Sequence, residues 1–272
     1  MSDRVVLITG TSTGIGLAVA AAAVAAGYRT VATLRNPARG EAVRATGADV
    51  RQLDVTDPKS VADCVSGVVA DYGRLDAVIN NAGASVLGTV ENLDMSDIRR
   101  ALEVNFFGVV EVTRTAMPHL RASGGRVVTV TSVGGVVGQP FNEAYCAAKF
   151  AVEGFMESLA PVAATVGVGV AVVEPGAVTT EFVANAGIDP ARAIAEAGPY
   201  APALRAYIDR TLGAYTAGQT AEDVAAVIMR ALTAEPIVFR WQTSDWARDF
   251  VGAKLGDLDG SAVQGTMAGW VS

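Results

Sequence analysis

The sequence predicts a doubly wound α/β fold: a parallel sheet of about seven strands, covered by helices on both faces, in a single domain. Three observations predict it. Short apolar runs alternate with helical stretches almost without interruption from residue 4 to residue 241. The runs are apolar at successive positions, so both faces of the sheet are covered, and their alternation with helices implies parallel pairing through right-handed crossovers. The first run ends in a glycine-rich turn that opens a helix, TGTSTGIG, from Thr9 to Gly16.

Taken in order, residues 4–9 (RVVLIT) read as a buried strand and residues 17–26 as the helix after it. Strands follow at 29–34, 50–53, 75–80, 126–131, 169–174 and 236–241, with helices at 58–71, 95–121, 143–165 and 220–234. Residues 178–218 are less regular, rich in Ala, Gly and Pro, and carry Phe182, Tyr200 and Tyr207. An insertion after the sixth strand, at the carboxyl edge where such sheets bind ligands, is a natural substrate lid. The tail at 242–272 carries Trp246, Phe250 and Trp270 and is expected to pack on the domain, because leaving such rings exposed forfeits ~1.5 to 3 kcal/mol each.

Composition narrows the partners. Of 272 residues, 51% are hydrophobic and 18% charged, a globular balance. The net charge of -7 argues against a nucleic-acid or anionic-membrane surface and leaves a small molecule as ligand. Cys64 and Cys146 are too few for a disulfide framework, which fits a reducing cytoplasm. The apolar run at 17–26 follows a glycine turn and lacks a basic flank, so no targeting or membrane-spanning segment is read there. One histidine, His119, rules out a histidine-rich metal site.

Two motifs overlap in the opening turn. Gly10 to Gly14 spell the G-x-S-x-G of a hydrolase nucleophile elbow, with Ser12 as nucleophile and His119 as the sole candidate base. That reading lacks a scaffold, since only eight residues precede Thr9 and an elbow needs an oxyanion loop from an earlier strand; fluorophosphonate labelling of Ser12 would test it. The glycines have another use. Gly10 permits a tight turn, Gly14 lets the backbone approach a pyrophosphate, Gly16 allows close helix packing, and the free N–H groups of the helix start, with Thr13 and Ile15 between the glycines, face the anion.

The turn has company. Asp54 and Val55 follow the third strand, Asn80, Asn81, Ala82 and Gly83 the fourth, and Asn105 lies in the next helix. Ser132 ends the fifth strand, Tyr145-Cys-Ala-Ala-Lys149 opens a helix, and Pro175-Gly176 follows the sixth strand. This ordered set resembles the short-chain dehydrogenase/reductase family over roughly residues 4 to 240. Residues 131–159, with 31–40, are similar to the type 1 17β-hydroxysteroid dehydrogenase and retinol dehydrogenase subgroup, which acts on bulky apolar alcohols and ketones.

Tyr145 and Lys149, four apart, share a helix face. A phenol with pKa ~10 is about 0.1% ionised at neutral pH. A positive charge ~5 Å away at an effective dielectric of ~20 is worth about 3 kcal/mol, roughly two pKa units, so Lys149 is expected to bring Tyr145 into working range. Tyr145 then exchanges a proton with the substrate oxygen, and Ser132 hydrogen-bonds the same oxygen. The resemblance implies that Lys149 also holds the nicotinamide ribose and that Asn105 supports a water-linked proton path through Lys149. The second strand ends Thr33-Leu34-Arg35-Asn36 without the acid that would bind a ribose 2′-hydroxyl, so NADP(H) is preferred over NAD(H), with Arg35 and Ser12 near the phosphate. Asp54 would meet the adenine amino group, Ala82 and Gly83 would line the cofactor trough, and Pro175, Gly176, Val178 and Thr180 would meet the nicotinamide and its phosphates.

The expected activity is an NADP(H)-preferring interconversion of a secondary alcohol and a ketone on an apolar, steroid-like or retinoid-like substrate. A 3-oxoacyl-thioester reductase and a cofactor-binding sensor without turnover stand as alternatives. The resemblance further implies a homodimer or homotetramer formed through the helices at 95–121 and 143–165.

Overall fold

The computed structural model describes residues 3–180, residue 187 and residues 189–272. Phe182 therefore lies outside the described residues. Among them the chain runs β1 (Val5–Thr9), α1 (Gly14–Ala25), β2 (Arg29–Leu34), α2 (Glu41–Arg44), β3 (Asp49–Gln52), α3 (Pro58–Tyr72), β4 (Ala77–Asn80) and α4 (Met95–Leu102). It continues with α5 (Gly108–Ser123), β5 (Arg126–Val130), α6 (Glu143–Ala164), β6 (Gly169–Glu174), α7 (Pro190–Glu196) and α8 (Ala201–Thr216), and ends with α9 (Ala221–Thr233), β7 (Arg240–Gln242), α10 (Asp245–Gly256) and α11 (Ser261–Ala268).

The seven strands form one parallel sheet in the order β3-β2-β1-β4-β5-β6-β7. Alternate side chains of each strand enter opposite cores, as the two-residue period of a strand requires. Val5, Leu7, Val31, Val78, Val127 and Val172 pack on one face under α3, α5 and α6, against Val65, Leu120 and Met156. Val6, Ile8, Ala32, Ile79, Val128 and Val173 pack on the other under α1 and α9, against Val19, Ala20 and Ile228. Both faces are covered, which explains why the strands read as unbroken apolar runs.

Local chemistry sets the helix ends. Asp57 accepts a hydrogen bond from the Lys59 amide and Pro58 occupies the first helical position of α3, while Gly73 ends it with φ +74°. Thr220 and Asp223 cap α9 reciprocally.

Three elements differ from the sequence reading by more than two residues at a boundary or by a break. The first helix starts at Gly14 rather than residue 17, because the glycine turn is itself the helix's first turn. The expected helix at 95–121 is divided by a π-helical segment, Glu103–Phe107. Within it the Asn105 amide donates to the carbonyl of Ala101 one turn back (2.9 Å), inserting a side chain into the helical ladder. The seventh strand starts at Arg240, not 236. Pro236 has no N–H to contribute, Ile237 and Val238 are exposed, and sheet bonding begins where the Phe239 carbonyl accepts from the Val172 amide at 2.7 Å.

The chain that leaves β6 returns beside itself. The Gln219 amide donates to the Ala177 carbonyl (3.1 Å) and the Thr179 amide to the Gln219 carbonyl (2.8 Å), so the base of the 178–218 excursion is pinned. In the tail, Ala247, Val251, Val263 and Met267 pack against Val133, Val136 and Val137. Among the described residues no helix is long and apolar enough to cross a membrane.

Candidate active site

Strand order reverses direction between β1 and β4, and a crevice lies there at the carboxyl ends of the strands. The crevice deepens into a cavity of about 890 Å³. It is lined by every position the sequence singled out in the glycine turn (Gly10, Ser12, Thr13, Gly14, Ile15, Gly16), by Arg35, Asp54, Val55, Asn81, Ala82 and Gly83, and by Ser132, Tyr145, Lys149, Pro175, Gly176, Val178 and Thr180. Asn105 does not line it. That residue is fully buried behind Ala84, whose amide donates to Asn105 Oδ1 (3.1 Å) and whose carbonyl accepts from Nδ2 (2.9 Å).

The floor of the crevice is tied together by backbone and side chain. Gly10 has φ +70°, and a Cβ there would lie 2.7 Å from the Cα of Ala82, so the turn and the β4 loop touch only because this residue is glycine. The Thr9 hydroxyl accepts from the amides of Asn81 and Ala82, both at 3.0 Å. Asn81 returns the tie by donating to the carbonyls of Thr9 (3.0 Å) and Gly10 (2.9 Å). Its amide is spent on positioning the two loops. Asp54 Oδ1 accepts from the backbone and hydroxyl of Thr56, a turn that leads into α3.

At the far end, Ser132 leaves β5 in extended conformation and caps a short 3₁₀ turn, its oxygen accepting from the Gly134 amide at 3.0 Å. It also hydrogen-bonds Tyr145, in the first turn of α6. Lys149 follows one turn on, buried, with Nζ donating to the Val130 carbonyl (3.1 Å) and 5.9 Å from the centre of the Tyr145 ring. Burial drives the Lys149 pKa down to about 8, opposed by the charge of Glu153. The expected depression of Tyr145 is not found. Burial pushes its phenol upward, against the hydrogen bond with Ser132. Burial thus favours the protonated phenol of Tyr145.

Glu153 continues the same helix face behind Lys149. It is buried, meets Arg240 at 3.1 Å, and burial raises its carboxyl from an ordinary 4.5 to about 7. The folded protein holds this proton more tightly than the unfolded chain does. The carboxyl therefore favours the fold fully below about pH 4.5, and that advantage is lost as pH rises through about 7. Glu153→Gln should accordingly gain on the wild type in thermal midpoint between about pH 5 and about pH 8. Scanning calorimetry at the two pH values measures this, and an unchanged difference would refute it.

Part of the cavity wall is aromatic: Tyr207, in the segment expected as a lid, belongs to it, while the share of the tail was not expected. Tyr207, Tyr215, Trp246 and Trp270 line the cavity, with Gln139 and Asn142. The rings are ordered: Trp246 stacks on Phe250 (4.9 Å between centres), Phe250 on Trp270 (5.6 Å), and Trp270 lies 6.5 Å from Tyr207. Asn142 donates to the Tyr207 hydroxyl at 2.5 Å, joining this wall to the start of α6. The aromatic tail was noted as packing material, but linear sequence carries no signal that it faces the crevice. Arg39 also lines the cavity; it sits four residues after Arg35, and that spacing was the available signal. The sole histidine, His119, lies on α5, which contributes nothing to the cavity, so Ser12 has no histidine beside it.

The family model for short chain dehydrogenases matches residues 4–191. Retinol dehydrogenase 8 of Bos taurus is 35% identical over 280 residues, covering 95% of this chain and 87% of that protein. The 17-beta-hydroxysteroid dehydrogenase type 1 of Homo sapiens is 34% identical over 276 residues, covering 96% and 84%. Among solved structures, a short-chain dehydrogenase from Streptomyces avermitilis superposes with a TM-score of 0.78 at 31% identity, covering 98% of this chain and 95% of that one. With its parallel sheet, its glycine-floored crevice and this likeness along nearly its whole length, the chain belongs to the short-chain dehydrogenase family, NAD(P)-dependent oxidoreductases acting on CH–OH groups.

Proposed function

We propose that the protein interconverts a secondary alcohol and a ketone on a bulky apolar substrate, with NADP(H) preferred over NAD(H). The observation that carries this reading is the meeting of Ser132, Tyr145 and Lys149 where the glycine-floored crevice runs into an aromatic wall. The relatives named for retinol and 17-beta-hydroxysteroids fit a wall of that kind.

The glycine turn fits a dinucleotide, because substituting Gly10 would drive a side chain into Ala82, and α1 opens with its free N–H groups at the crevice. Gly10 through Gly16, Asp54, Val55, Ala82 and Gly83 would hold the adenosine and pyrophosphate, with Asn81 fixing the loops. Pro175, Gly176, Val178 and Thr180 would flank the nicotinamide. When bound, the cofactor supplies or accepts the hydride. Tyr145 gives its proton to the carbonyl oxygen during reduction, a task suited to a phenol held protonated, and Ser132 donates to the same oxygen. Lys149 replenishes the proton and steadies the ribose; Asn105, holding the Ala84 backbone open, supports the path behind it. The 178–218 excursion closes over the substrate as a lid. Self-association through α5 and α6 belongs to the same reading, supported by the exposure of Phe107, just before α5, and of Phe150 and Val162 on α6.

The cofactor preference rests on charge. No acid stands at the end of β2, and Arg35 and Arg39 both line the crevice there, their guanidinium groups making no hydrogen bond or ion pair with another described residue. Measuring kcat/KM with NADPH and NADH in parallel tests it. Arg35→Glu should cost about tenfold or more with NADPH while sparing NADH, the size of one charge-assisted contact to a phosphate. Faster turnover of the wild type with NADH would sink the preference.

A further inference from the structure

The protein is acidic, with 28 Asp and Glu against 21 Lys and Arg, so arginines readily find carboxylates. Arg51, Arg74, Arg100, Arg114, Arg126, Arg192, Arg240 and Arg248 are all ion-paired. Arg210, like Arg35 and Arg39, is not: among the described residues no carboxylate lies within ion-pair distance of it, and its side chain is exposed along the cavity. It sits on α8 one turn after Tyr207, and Tyr207, Arg210, Thr211 and Ala214 form one face of that helix along the cavity.

The guanidinium is nonetheless placed. It lies 4.4 Å from the centre of the Trp270 ring, and Trp270 is held by its stack on Phe250 and Trp246. Stacking on a ring face leaves the in-plane N–H donors of a guanidinium free, a geometry suited to forked binding of a carboxylate. Lys149 is committed to the Val130 carbonyl, and the other arginines of the cavity, Arg35, Arg39, Arg99 and Arg100, come from the segment after β2 and from α4. Among the described residues Arg210 is the single cation on the aromatic wall.

We propose that Arg210 is an anion-recognition residue for the substrate, and that the substrate is an apolar ketone or secondary alcohol bearing a carboxylate at the end remote from the reacting carbon. The inference rests on the alcohol–ketone reading above and deepens it. The apolar body would lie along Tyr207, Trp246 and Trp270, with the reacting oxygen at Tyr145 and Ser132 and the acid at Arg210.

The test compares a long-chain oxo-fatty acid with its own methyl ester, by NADPH-dependent reduction and by quenching of tryptophan emission in titrations without turnover. The wild type should show kcat/KM about tenfold higher for the acid, carried by KM, and tighter binding of the acid in the fluorescence titration. Arg210→Gln should abolish the discrimination by raising KM for the acid with little change in kcat, and leave the ester unaffected; Arg210→Lys should restore part of it. Equal handling of acid and ester by the wild type would overturn the proposal, as would a variant that weakens both alike, since that marks a packing role. If neither compound is reduced with either cofactor, the alcohol–ketone reading is what suffers, and the fluorescence titrations still decide Arg210. A fatty acyl coenzyme A thioester that binds more tightly than the free acid, with the gain lost in Arg210→Gln, would overturn the carboxylate assignment in favour of a phosphate.

Discussion

Tyr145→Phe is expected to lower kcat/KM by about a thousandfold, the usual reach of a positioned general acid, while leaving binding of the cofactor within about twofold. The substitution deletes one oxygen and preserves the ring, so α6 and the crevice keep their shape. Steady-state rates with an apolar ketone, beside a cofactor titration by nucleotide fluorescence, separate the two quantities. The raised phenol adds a second expectation. Reduction by the wild type should persist into alkaline solution, because Tyr145 enters the reaction protonated and loses that proton only at high pH. A variant that retains more than about a tenth of the activity would remove Tyr145 from the chemistry and leave the proposed mechanism without its acid.

Arg240→Met is expected to have the largest effect on stability. The guanidinium meets Glu153 at 3.1 Å, Glu174 at 2.9 Å and Glu157 at 2.6 Å. Glu174 is fully buried, and among the described residues its other oxygen accepts only from Gln242, at 2.8 Å. Removing the cation strands two buried carboxyls, and stranding one partner of such a pair costs about 3–5 kcal/mol. For a domain of this size that corresponds to a fall in thermal midpoint on the order of 10 °C. The loss should be smaller below about pH 4.5, where Glu153 is protonated in folded and unfolded protein alike and needs no counter-charge. A midpoint within a degree or two of the wild type near neutral pH would show the cluster to be solvated rather than buried.

Glu153 and Arg240 also mark where sequence reasoning stopped. The strands were legible because burial on both faces leaves apolar runs such as VVLIT that admit few other readings. The crevice was legible because its glycines and its Tyr-x-x-x-Lys pair have fixed spacing along single elements. Glu153 was not, since a charged residue on a helix ordinarily reads as a solvent face, and only the approach of β6 and β7 makes this one internal. The break at Glu103–Phe107 escaped for a related reason: five residues are too few to distinguish helical periods by hydrophobic pattern. Arg210 and the rings of the tail lie far in sequence from Tyr145, and what joins them is the folding of the tail against Val133, Val136 and Val137.

That five-residue break has a geometric consequence of its own. An α-helix turns about 100° per residue, so a widened turn that holds one extra residue puts everything after it out of phase with everything before. Upstream, α4 turns Arg99 and Arg100 toward the crevice; downstream, α5 turns Val109, Val112, Ala116 and Leu120 into the core beneath the sheet. The bulge works as a phase shifter between two helices that are continuous in the chain but serve different masters. Deleting a single residue there would restore a regular screw and set the two faces in competition, so that the chain could satisfy the crevice or the core, but not both.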